Sequence, residues 1–444
     1  MRSSLSFIYL SLSPPQREIY NRILPYPPGL STRVGVFKAD VLWYDPLRIL
    51  FPRGIGALRI MFGFFLFFTL LGGLNAYITL RLWQWLRCLR PGLGPGWGVG
   101  LFVFLLGLLM LGFLRSRLPV GPGVKYALNV TGSVWMGVFI YLLLFLLAGD
   151  ALLLSGRLLR LIPAEAMPRG RLVAVSAALV LAVLVSVGGV LHGRRLSIAR
   201  DDVPAVTPME GELRIVLLTD LHLGAVGSEA RLPGIVDQVN ALEPDVICIA
   251  GDFFDNDMAA VRRPDTDAAL LRQLRAPLGV YMCPGNHDAG ASRSRMLDFL
   301  GRCGITLLAE KAAEAGGRLT LVGRADRSPI GLQLTGRTRG DTRELMERVA
   351  GTLPMVVMDH NPAGVDDYDV GDLILCGHTH KGQIFPGNLF TRRLYTVDYG
   401  HYRRDEAAPH VIVSSGAGTW GMPMRVGTNC EVVLIRLLGQ SENK

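Results

Sequence analysis

Acidic residues are almost missing from the first half of this 444-residue chain. Residues 1–200 hold five (Glu18, Asp40, Asp45, Asp150, Glu165) against 21 Lys and Arg, a net of +16. Residues 201–444 hold 32 acids against 25 Lys and Arg, a net of −7. The overall charge of +9 is thus an average over two unlike regions, which excludes a uniformly basic nucleic-acid binder. Cysteine is scarce too. Cys88, Cys248, Cys283, Cys303, Cys376 and Cys430 show no CxxC spacing, so neither a zinc knuckle nor a disulfide framework is indicated. Charged residues make up only 19% of the chain and hydrophobic ones 50%, which excludes intrinsic disorder.

Charge is absent altogether from four runs. Ile60–Leu80 has 21 residues, Pro91–Leu114 has 24, Tyr126–Gly149 has 24, and Leu172–Gly193 has 22 with His192 counted as neutral. About 20 apolar residues are needed for a helix to cross the roughly 30 Å hydrocarbon layer. The expectation is an N-terminal α-helical transmembrane region of four spans over residues 56–195. It follows a segment, 1–55, to which no role is assigned, and precedes a polar linker, 196–211. Nine Lys and Arg flank the spans on the side of the termini and seven on the other, so loop charge does not set the orientation. Within the runs only His192, at an edge, is ionisable. Transport paths ordinarily place charged groups inside the membrane, so the region reads as an anchor, with a sensor or transport role left open.

Beyond the linker the pattern changes. Short apolar runs at Arg214–Thr219, Asp245–Ala250, Gly279–Cys283, Met355–Met358 and Leu373–Cys376 read as strands. Amphipathic stretches at Leu232–Leu242, Ala268–Leu274, Arg293–Leu300 and Arg343–Val349 read as helices. Leu319–Val322, His410–Val413 and Glu431–Ile435 read as further strands. This alternation predicts an α/β domain over 212–440.

Polar residues collect at the strand ends, where ligands gather in such folds. The five strands run into Asp220-Leu221-His222, Gly251-Asp252-Phe253-Phe254-Asp255, Gly285-Asn286-His287-Asp288, Asp359-His360-Asn361-Pro362 and Gly377-His378-Thr379-His380. Five of the eight histidines lie in these blocks. A single Asp or Asn at such a place is ordinarily a turn former. Five consecutive strand ends furnished with carboxylate, amide or imidazole are not explained by turns. Carboxylate and imidazole without thiolate suit Mn, Fe or Zn. Residues i and i+2 of an extended segment point the same way, so Asp220 and His222 can hold one ion, and Asp252, with two oxygens, can bridge two.

These blocks resemble the calcineurin-like metallophosphoesterase superfamily, whose pattern is D-x-H, G-D-x-x-D, G-N-H-[DE], H and G-H-x-H. The resemblance covers roughly residues 211–440. It is closer to a bacterial, membrane-tethered branch through Pro284–Asp288, Gly377–Ile384 and Gly416–Arg425. It implies a two-sheet sandwich flanked by helices, and two divalent metal ions (Mn, Fe or Zn). Asp220, His222, Asp252 and His380 would hold one ion, and Asp252, Asn286, His360 and His378 the other. His287 would protonate the leaving oxygen, with Asp255 orienting it; Asp288 completes the motif in a structural or other role. The implied activity is a membrane-anchored phosphohydrolase that cleaves mono- or diester bonds by attack of a metal-bound hydroxide. Lys381 stands where glycine is common, Asp359 where a small residue is common, and Asn429-Cys430 where proline is common.

The substrate class stays open between phosphorylated small molecules and lipid-linked or cell-envelope phosphates. The acidic domain argues against nucleic acid. The resemblance implies a multi-pass protein of a bacterial inner or plasma membrane, with the catalytic domain on the extracytoplasmic side. The alternative is a binding or sensor module that kept the fold and lost the chemistry, although every motif position is filled.

Overall fold

Long uncharged runs become long helices. The computed structural model describes residues 56–114, 121–331 and 334–439, so the segment 1–55 lies outside the described residues. Helices α1 (Gly56–Leu89), α2 (Pro95–Leu114), α3 (Pro122–Leu158) and α4 (Met167–His192) form the N-terminal region. Among the described residues three stretches, Met61–Leu89, Gly123–Leu158 and Ala164–His192, are long and apolar enough to cross a membrane, not four. In the second run Pro91–Gly94 forms a turn, and the apolar helix that follows it, Pro95–Leu111, is a shorter one.

Helices α1 and α3 also continue past the ends of their uncharged runs, which brings an ion pair into the apolar region. Arg81 donates to the Asp150 carboxylate through Nε at 2.8 Å and Nη2 at 2.7 Å, and the Tyr77 hydroxyl donates to the same oxygen at 2.6 Å. The reading that only His192 is ionisable among the spans is corrected accordingly. In low-dielectric surroundings a lone charge is costly, and here each partner satisfies the other. Asn75 Nδ2 donates to the Phe102 carbonyl and Trp85 Nε1 to Ser176 Oγ, which staples further helix pairs.

The C-terminal domain contains two six-stranded sheets. The strands in chain order are β1 (Leu196–Pro204), β2 (Glu212–Leu218), β3 (Val246–Ala250), β4 (Val280–Cys283), β5 (Thr306–Leu307) and β6 (Lys311–Ala315). They continue as β7 (Leu319–Gly323), β8 (Met355–Met358), β9 (Leu373–Cys376), β10 (Gly400–Tyr402), β11 (His410–Val413) and β12 (Cys430–Leu438). One sheet has the order β1-β12-β2-β3-β4-β5 and the other β10-β11-β9-β8-β7-β6. Helices α5 (Ser228–Ala241), α6 (Pro264–Leu271), α7 (Arg293–Cys303), α8 (Thr342–Val349) and α9 (Gly387–Leu394) complete the set.

Alternation along the strands explains why their sequences are apolar throughout. Ile215, Leu217, Val246 and Cys248 face the other sheet and pack with Leu321, Val356, Leu373 and Ile412. Val216, Leu218, Ile247 and Ile249 face outward onto Leu232, Ile235, Met296 and Phe299 of α5 and α7. Both faces are covered, so both must be apolar. Each such side chain contributes about 1.5–3 kcal/mol on full burial.

The stretch read as a linker carries instead the edge strand β1. It pairs in parallel with β12 in the register Leu196↔Cys430 to Pro204↔Leu438. Its local sequence is polar because only part of it is covered: Leu196 and Ile198 pack on the core, and Val203 is fully buried. Three residues separate it from α4.

Candidate metal centre

All five polar blocks converge at the carboxyl ends of β2, β3 and β4 of one sheet and β8 and β9 of the other. The loops are laced together by backbone. Asp220 N donates to the Gly251 carbonyl at 3.0 Å, His222 N to that of Asp252 at 3.0 Å, and Gly377 N to that of His360 at 2.9 Å. Five of the predicted site residues adopt left-handed backbone: Asp220, His222, Asp252, His378 and His380, with φ between 48° and 70°. Such strain in non-glycine residues costs of order 1–3 kcal/mol each and concentrates at functional sites. Gly251 shows how tight the packing is, since a Cβ there would lie 2.7 Å from the His360 ring.

Two clusters form. In the first, His380 Nε2 lies 3.3 Å from Asp220 Oδ1, and His222 Nε2 lies 3.1 Å from His380 Nε2. In the second, His360 Nε2 lies 3.2 Å from both Asp252 Oδ2 and Asn286 Oδ1. His378 Nδ1 completes it at 2.9 Å from Asn286 Oδ1 and 3.3 Å from His360 Nε2. Asp252 touches both, because its Oδ2 is also 3.6 Å from His222 Nε2. The structure thus brings together all seven residues expected to bind metal.

The electrostatics call for cations. Asp220 and Asp252 are fully buried carboxylates. Burial pushes the Asp220 carboxyl up. For Asp252 burial acts the same way, but the His360 and His222 rings outweigh it and hold the group below the usual range. Burial and the His360 charge bring His378 down to about 3. Burial and the Arg425 guanidinium keep His380 well below its usual value. Both rings therefore stay neutral and keep lone pairs. Two nitrogen pairs approaching to 3.1–3.3 Å beside buried carboxylates form a donor set that fits divalent cations of the Mn, Fe or Zn type.

His287 and Asp255 lie beside this centre. Asp255 Oδ1 is 3.6 Å from Nδ1 of both His287 and His222, which is beyond hydrogen-bond range. The hydrogen bond to His287 Nδ1 comes from Asn256 Nδ2, at 2.7 Å. Burial holds His287 below its ordinary pKa, and its ring meets the Trp420 ring edge-on at 5.8 Å.

The remaining positions have structural partners. Asp288 accepts from the backbone N–H of Phe253, Phe254 and Gly285, and so ties the β3 and β4 loops together. Asp359 does not reach His360; Arg339 takes its carboxylate in a fork at 2.8 and 2.6 Å, and the Tyr368 hydroxyl adds a bond at 2.7 Å. Lys381 Nζ sits 3.6 Å from the centre of the Tyr399 ring. Arg425 is fully buried; it donates to the carbonyls of His380, Ser415 and Gly418 and faces His380 Nδ1 at 3.2 Å. Asn256 and Arg425 were not singled out as functional from the sequence. For Arg425 the sequence offers one signal, a lone arginine closing the glycine-rich stretch Gly416–Arg425.

A family model described as calcineurin-like phosphoesterase matches residues 213–382. An uncharacterized metallophosphoesterase of Helicobacter pylori is 31% identical, over 53% of this chain and 62% of its own length. A transmembrane protein with metallophosphoesterase domain from Danio rerio is 30% identical, over 68% of this chain and 72% of its own. The UDP-2,3-diacylglucosamine pyrophosphatase LpxG of Chlamydia trachomatis is 24% identical, over 51% of this chain and 84% of its own. The chain therefore spans less than two thirds of the Helicobacter protein.

Proposed function

The chain belongs to the calcineurin-like phosphoesterase family, and from that premise we propose that it is a membrane-borne, dinuclear metal-dependent phosphohydrolase. The observation that carries this reading is the position of Asp252, whose carboxylate touches a histidine of each cluster, at 3.6 Å from His222 and 3.2 Å from His360.

Asp220, His222, His380 and Asp252 would hold one ion, and Asp252, Asn286, His360 and His378 the other. When bound, such a pair supplies Lewis acidity toward a phosphoryl group and lowers the pKa of water. The protein's own groups do the rest. His378 and His380, held neutral, would offer lone pairs at once, whereas His222 and His360, held up by the buried carboxylates beside them, would give up a proton to each ion they take. His287, held below its ordinary pKa by burial and bonded at Nδ1 by Asn256, keeps a hydrogen on Nε2. As water oxygen bonds to phosphorus and the P–O ester bond breaks, the Nε2–H of that ring would hydrogen-bond to the departing oxygen, and the proton given up by the attacking water replaces any that the ring passes on.

The test uses the full chain in detergent, stripped of metal and reloaded with Mn²⁺, Fe²⁺ or Zn²⁺. Turnover of p-nitrophenyl phosphate, its bis-ester and a pyrophosphate diester is compared. Two bound equivalents with hydrolysis of at least one substrate is the expected result. Two equivalents without turnover of any would leave a metal-binding module in place of an enzyme. The pyrophosphate diester is included because the similar Chlamydia protein is named a pyrophosphatase.

A further inference from the structure

The rim of the site carries exposed apolar side chains. Helix α9, with the sequence GNLFTRRL, buries none of its residues. Phe390 is 66% exposed, and Leu389, Leu394 and the preceding Phe385 are exposed as well. Trp420, 50% exposed, belongs to the same rim, because Gln383 Nε2 donates to its carbonyl and the bridge Ile384↔Val426 ties the two loops together.

Beneath, this rim is seated on the membrane helices. Ile384 and Met424 join the apolar cluster of Leu142, Leu146 and Ala182. Tyr141 donates to the Phe385 carbonyl at 2.9 Å, and Arg425 N donates to that of Gly189 at 3.0 Å. A Cβ on Gly189 would come within 2.8 Å of Val426, so glycine is what lets the loop sit on α4. Outward from the same level, α4 exposes Val180, Leu184, Val187 and Leu191. This apolar belt ends at Leu191 and is followed by the exposed pair Arg194-Arg195. A belt that stops at arginines marks the border between hydrocarbon and water. The rim is therefore continuous with that border. Its composition matches as well, with Leu, Phe and Trp beside Arg392 and Arg393, the pattern of a helix lying on an anionic bilayer surface.

The other side of the rim is the metal centre. His378 and His380 immediately precede it in the chain, Tyr395 just after α9 meets the His378 ring at 6.1 Å, and Trp420 meets His287. We propose that α9, Phe385 and Trp420 form a membrane-surface lip, and that the site takes phosphoesters carried on bilayer amphiphiles. The substrate half of this rests on the phosphohydrolase reading above; the docking half does not.

Two measurements on the full chain in phosphatidylethanolamine–phosphatidylglycerol nanodiscs test it. First, p-benzoylphenylalanine replaces Phe390, Leu184 as a lipid-facing control, or Val370, which is exposed before β9 at the end of the sheet away from the site. Irradiation should give lipid adducts at 390 and 184 and none at 370. Adducts at 184 without any at 390 would overturn the docking, whatever the enzyme hydrolyses. Second, p-nitrophenyl phosphate turnover is challenged with dioleoyl phosphatidate in the nanodisc or with glycerol 3-phosphate in solution. Phosphatidate should compete at least tenfold better. The Phe390→Ser/Leu394→Ser variant should lose that advantage while p-nitrophenyl phosphate turnover stays intact. Equal competition by both phosphates in the native chain, or an undiminished advantage in the variant, would overturn the amphiphile preference. Absence of any turnover would sink the hydrolase reading and leave the crosslinking result to decide the docking.

Discussion

The side-chain amide of Asn256 stands 2.7 Å from Nδ1 of His287 and donates to it. A neutral imidazole that accepts at Nδ1 carries its hydrogen on Nε2, so the amide sets the tautomer of the proposed acid. Asp255, 3.6 Å away, influences the ring through charge rather than through a bond.

Replacing Asn256 by Ala would free the ring to adopt either tautomer. Hydrolysis of an alkyl phosphate, whose leaving group needs a proton, should slow about tenfold, a small share of the 10²–10⁴ available from general acid catalysis. Hydrolysis of p-nitrophenyl phosphate should change little and bound metal not at all. Equal losses on both substrates would remove the positioning role.

Asp252→Asn tests the bridge. The amide keeps the shape but loses the charge shared by both clusters, so metal content by mass spectrometry and turnover should fall together. His287→Ala should keep both ions and lose rate only. A fully active Asp252→Asn protein would refute the bridging assignment.

Arg425→Met would leave the carbonyls of His380, Ser415 and Gly418 without their donor in a buried setting. Each unsatisfied group costs about 1–3 kcal/mol, so a clear drop in unfolding temperature is expected, with weaker metal retention through His380. An unchanged melting curve would show that water takes over those bonds.

The Asp359–Arg339 pair gives a pH signature. Burial pushes the Asp359 carboxyl up, but Arg339 and Tyr368 outweigh it and hold it below the usual range. A depressed carboxyl stabilises the fold above its unfolded pKa of about 3.9, and that contribution is lost as pH falls through the folded value. Asp359→Asn should therefore be destabilised by roughly 3–5 kcal/mol at neutral pH. The gap from the native chain should close below about pH 4. A gap that persists in acid would mean that shape, not charge, is what the variant lost.

In the membrane region, Asp150→Leu should destabilise by about 1–2 kcal/mol by stranding Arg81, and Arg81→Leu/Asp150→Leu should recover most of it. Thermal unfolding in nanodiscs provides the check. A double variant as unstable as the single one would show that the charges matter individually.

The centre was legible in the sequence because every expected ligand sits in a short block at the end of an apolar strand, two to four residues past its last residue. What escaped notice depends on distance along the chain. Arg425 meets His380 across 45 residues, and Arg339 claims Asp359 across 20. Neither arginine has a local pattern that names its partner. Asn256 was hidden for another reason. It follows Asp255 inside a loop, and the backbone rather than the motif decides which of the two reaches His287. The fourth span was misjudged because an uncharged run says nothing about the turn at Pro91–Gly94.

Strand β1 joins α4 to the first sheet with three residues to spare and lies along the whole length of β12. Strand β12 in turn is inserted between β1 and β2, although it is made long after both. The sheet consequently cannot close until β12, some 200 residues after β2, has been synthesised. The same geometry makes β1 a guard. A fragment cut at residue 205 would expose a nine-residue, largely apolar edge to any neighbouring chain, and such edges invite aggregation. A soluble version of this domain has to begin before Leu196.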